Sequence, residues 1–105
     1  MNAQELKSLA DAQFNRAQQR KILKEKAYAA RTVAHNGGLF FASLELIALL
    51  QSVDNITIIE DTYQNPIKID RRKLLDDLVQ VYNSAMETWY NEFESSNRIR
   101  RGSNV

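Results

Sequence analysis

The sequence predicts a single, mainly helical α+β domain: a long N-terminal helix, a short apolar strand/helix segment, a β-hairpin and a long C-terminal amphipathic helix. Three observations predict it. Residues 3–35 contain no Gly or Pro and are rich in Ala, Gln, Lys, Arg and Leu, all good helix formers. Two Ile-rich runs, Ile56-Thr57-Ile58-Ile59 and Pro66-Ile67-Lys68-Ile69, flank a polar turn. Apolar side chains then recur at Leu75, Leu78, Tyr82, Ala85, Trp89 and Phe93, in steps of three and four.

Taken in order, residues 1–36 form a helical arm that ends at Asn36-Gly37-Gly38, where Asn or Gly can take the left-handed conformation that closes a helix. Its apolar stripe is broken. Leu6, Leu9, Ala10, Phe14 and Ala17 share one face, whereas Leu23, Ala27, Ala30 and Ala34 share another, with Gln18-Gln19-Arg20-Lys21 between them. Two faces predict two contacts or a bend.

Residues 37–70 hold the shorter elements. Leu39-Phe40-Phe41 reads as a short strand, and Ser43 as the cap of a short buried helix over residues 44–52; a helix across the whole stretch is the alternative. The two Ile-rich runs pair as a hairpin, with Pro66 restricted to a strand start or edge. Asp70 caps the last helix, over residues 71–101, whose stripe extends along about 28 residues, roughly 42 Å at 1.5 Å per residue. Residues 102–105 are expected to fray.

At 105 residues and 44% hydrophobic content the chain has material for one modest core. Its net charge is +1, unevenly distributed: residues 1–36 carry seven Lys/Arg against three Asp/Glu, residues 37–70 one against five, and residues 71–105 six against five. There is no cysteine, so disulfides and thiolate chemistry are excluded, and a reducing, cytoplasmic setting fits. No signal-peptide pattern or membrane-spanning apolar run is present, and no membrane partner is expected.

No residues are arranged for catalysis, and neither cofactor nor metal is expected. The one histidine, His35, is expected to cap the end of the first helix. Glu60, Asp61, Asp76 and Asp77 lack the alternation of a calcium loop. Gly37-Gly38 lacks the Lys-Ser/Thr pair of a phosphate loop, and no serine sits in a nucleophile elbow.

Function is therefore expected to be non-enzymatic, exercised through homo-oligomerisation, most simply a dimer, and through protein–protein contacts of a structural, assembly or adaptor kind. The expected oligomer interface is Leu75, Leu78, Tyr82, Trp89 and Phe93, because a helix with so long a stripe needs a partner surface. The alternative is a nucleic-acid-binding accessory factor using a basic row at Arg16, Arg20, Lys24 and Arg31. In general build, short and cysteine-free with long helices flanking a Gly-Gly break and an Ile-rich hairpin, the chain resembles small proteins of tailed bacteriophages. That resemblance implies an assembly or accessory role.

Overall fold

Asn2 starts the first helix by reciprocal capping: its side chain accepts the Glu5 N–H at 2.8 Å, while its own N–H donates to the Glu5 carboxylate at 3.3 Å. The computed structural model describes residues 2–102. Helix α1 runs Ala3–Ala29 and stops six residues short of the expected end. The chain then forms strands β1 (Thr32–His35) and β2 (Gly38–Phe41), paired antiparallel with His35 opposite Gly38.

Asn36-Gly37 is therefore a two-residue hairpin turn and not a helix terminus. Both residues have positive φ, 49° and 86°, as a primed turn matched to strand twist demands. Thr32 and Val33 are β-branched and lose side-chain freedom in a helix, so the hairpin wins over helical continuation. His35 is correspondingly not a helix cap. It lies buried in β1, where its Nε2 accepts the Asp70 N–H at 3.1 Å.

Strand β2 leads into helix α2 (Leu44–Ser52), capped as expected by Ser43, whose Oγ accepts the Leu46 N–H at 3.1 Å. The second hairpin pairs β3 (Ile58–Glu60) with β4 (Pro66–Lys68), Ile59 lying opposite Ile67 and Pro66 opening its strand. The two hairpins are tied at Leu39, whose carbonyl accepts the Thr62 N–H at 2.8 Å and whose N–H donates to Asp61 at 3.1 Å.

Helix α3 (Arg71–Gly102) begins at Asp70, whose side chain accepts the Lys73 N–H at 3.3 Å. The helix includes Gly102, expected to fray; the rest of that expected tail, residues 103–105, lies outside the described residues. The core sits where the first half of α3 meets the hairpins and α2: Val33, Phe40, Ala42, Ile47, Leu50, Ile69, Leu74 and Leu78. Each fully buried leucine or phenylalanine there contributes about 1.5–3 kcal/mol.

Beyond this head, α1 and α3 run together as an antiparallel two-helix arm. Leu23 and Ala27 of α1, with Ala30 just past its end, line one cleft with Val81, Ala85 and Trp89 of α3, and Lys26 Nζ reaches Glu92 at 2.6 Å. The molecule measures 65 × 27 × 21 Å with a radius of gyration of 19.8 Å. A compact chain of this length would have about 13 Å.

Candidate interaction surfaces

The α3 stripe divides into a covered half and an open half. Leu74, Leu78 and Ala85 are buried by their own chain, so Leu78 has no surface left for a partner. Leu75 and Tyr82 pack half-buried around the same core. Further along, Met86, Trp89, Tyr90 and Phe93 line one shallow apolar depression, with Tyr90 63% and Phe93 38% exposed. Of the five expected interface residues, the structure brings only Trp89 and Phe93 together on this open surface. Met86 and Tyr90 complete it; their spacing of three residues before Trp89 and Phe93 was the signal for them.

Helix α1 shows the same division. Its Leu23-Ala27 face turns to α3, Ala27 buried and Leu23 half-buried, whereas Leu6, Leu9 and Phe14 stay exposed, Phe14 at 62%. At 100° per residue Leu6, Ala10, Phe14 and Ala17 lie more than a quarter turn around α1 from that α3-facing row. The two faces legible in the sequence are thus one contact within the chain and one apolar face open to solvent.

The basic row also separates. Arg16, Arg20 and Lys24 are exposed on α1 at successive turns. Arg31 follows the helix end and is buried at 8% exposure, with Nε and Nη2 donating to the Ala42 carbonyl at 3.0 and 2.9 Å. Its guanidinium carbon lies 5.2, 4.5 and 4.8 Å from the ring centres of Tyr28, Phe41 and Tyr82. A delocalised cation suits that box, because three ring faces replace water around a charge that has no carboxylate beside it among the described residues. Arg31 is committed to holding the head together.

Asp61 is the most heavily bonded carboxylate. It accepts N–H groups from Asn65 at 2.9 Å, Leu39 at 3.1 Å and Tyr63 at 3.0 Å. These bonds, Asn65 and Leu39 foremost, favour the ionised form and hold its pKa below the usual carboxylate value against the opposing effect of burial. The group organises the β3–β4 turn and ties it to Leu39. Among the described residues no cluster of three His, Cys, Asp or Glu side chains is placed to hold a metal ion, and no helix is long and apolar enough to cross a membrane.

No protein-family model matches the chain, and no curated protein or solved structure matches it either.

Proposed function

We propose that this chain is a non-enzymatic assembly or adaptor protein that works by self-association, most simply as a two-fold dimer joined through its arm. The observation that carries this reading is the arm itself. Residues 3–22 of α1 are helical yet almost wholly exposed, with Leu6, Leu9, Phe14 and Ile22 among the exposed apolar side chains. Most helical stability in proteins comes from tertiary packing, so a segment left solvated over such a length gains stability by burying an apolar face. Met86, Trp89, Tyr90 and Phe93 offer a second uncovered surface on the neighbouring helix. Rings such as these, set on a rigid helix, are the side chains that anchor interfaces.

Sedimentation equilibrium at tens of micromolar tests the reading. The wild type is expected to sediment as a dimer. A Phe14→Glu/Tyr90→Glu double variant is expected to sediment as a monomer with its helical content in the head preserved. A monomeric wild type overturns the proposal.

A further inference from the structure

The flank along which α1 meets α3 carries a row of cations that the proposed dimer contact does not use, bordered by Phe93, which that contact shares. Arg16, Arg20, Lys24 and Tyr28 follow one another at intervals of four residues, so they form a single row advancing about 6 Å per step. Neither Arg16, Arg20 nor Lys24 has a carboxylate partner among the described residues, because Glu25 lies with Lys21 at 4.0 Å and Glu92 with Lys26 at 2.6 Å. Rings stand beside the cations. Arg16 and Arg20 share one shallow depression with Phe93 and Ser96 of α3, and Lys24 Nζ lies 5.5 Å from the centre of the Tyr28 ring. Phe93 and Tyr28 are both exposed.

We propose that this flank binds single-stranded nucleic acid, with phosphates along Arg16, Arg20 and Lys24 and an unpaired base stacked on Phe93, the Tyr28 ring being already taken by Lys24 and Arg31. Cations alone would hold any polyanion. An exposed ring beside them selects a strand whose bases are free to stack, since the base faces of a duplex are already occupied. Arg31, assigned to this row by helical phase alone, is replaced in it by the ring of Tyr28, on which its guanidinium stacks at 5.2 Å.

Fluorescence anisotropy with labelled oligothymidine and a duplex of equal length, at low and moderate salt, tests the proposal. The wild type is expected to bind oligothymidine more tightly than duplex, with a salt slope near −2 for about three neutralised phosphates. An Arg16→Glu/Arg20→Glu variant is expected to lose at least tenfold in affinity. A Phe93→Leu variant, which keeps apolar bulk and removes the ring, is expected to lose about fivefold or more at a concentration where sedimentation shows the same oligomeric state as the wild type. Absence of binding, affinity unchanged by charge reversal, or equal affinity for heparin and oligothymidine together with an unaltered Phe93→Leu variant overturns it. Sedimentation of the charge-reversed variant separates this surface from the dimer contact: nucleic-acid binding is lost while the oligomeric state is retained.

Discussion

Arg31 sends two N–H groups to the Ala42 carbonyl, at 3.0 and 2.9 Å, across the open end of the first hairpin. Ala42 N–H in turn donates to the Arg31 carbonyl at 2.7 Å, so the two residues close the β1–β2 ladder from both directions. Arg31→Ala removes a charged donor pair and the centre of the Tyr28-Phe41-Tyr82 box. It is expected to cost about 2–3 kcal/mol in urea unfolding. Arg31→Lys is expected to recover only part of this, because an ammonium cannot place two donors on one carbonyl and stack among rings at the same time.

Acid should release the second hairpin through Asp61. Its folded pKa lies below the ordinary carboxylate value, so the unfolded chain binds its proton at higher pH than the folded one. The stability it contributes is fully present above the unfolded value of about 3.9 and is lost as pH falls through the lower, folded value. Asp61→Asn is expected to lower the thermal midpoint at neutral pH and to flatten the acid limb of a stability–pH profile relative to wild type. Parallel acid limbs for the two proteins would contradict this.

The two glycines of the first turn should fail for different reasons. Gly37 has φ 86° and open space around it, so Gly37→Ala incurs backbone strain of order 1 kcal/mol. Gly38 faces the second hairpin, where an added Cβ would lie 2.6 Å from Ile67 Cγ1. Gly38→Ala must displace that side chain, and an expected loss of about 1–3 kcal/mol follows. Denaturant titration of both variants measures the difference.

Along α3 the cost of truncation should change with position. Leu78→Ala opens a cavity in the core of the head and is expected to cost about 2–5 kcal/mol at any protein concentration. Tyr90→Ala removes a ring that is 63% exposed, so it is expected to change the stability of the monomer by under about 0.5 kcal/mol. Its effect should instead fall on the proposed dimer, as a shift of association to higher concentration, read by sedimentation.

Local chemistry made most of the fold legible. Ser43 and Asp70 mark the starts of α2 and α3, Pro66 marks the start of β4, and the step of three and four residues from Leu75 onward is the pattern of α3. The end of α1 was obscured because Ala27, Ala29, Ala30 and Ala34 favour helix on both sides of the true stop. The decisive signal was Asn36-Gly37 standing as a two-residue loop between Thr32-Val33 and Leu39-Phe40.

The candidate interaction surfaces were legible only as faces. Which part of a face its own chain covers depends on contacts between residues distant in sequence: Leu78 and Phe93 share a stripe, yet only the former meets the hairpins. Arg31 was misplaced for a related reason. Helical phase put it with Arg20 and Lys24, but the helix had already ended at Ala29.

The burial of α1 is concentrated at its C-terminal end, where Ala27 is buried and Leu23 half-buried. Regions with so little buried apolar surface open at small free-energy cost, independently of global unfolding. Amide protons in the first five turns of α1 should therefore exchange with deuterium far sooner than those of β2 or the Leu74–Leu78 turn. The peeling segment would be a natural element for two molecules to trade, because exchanging it leaves the head of each undisturbed.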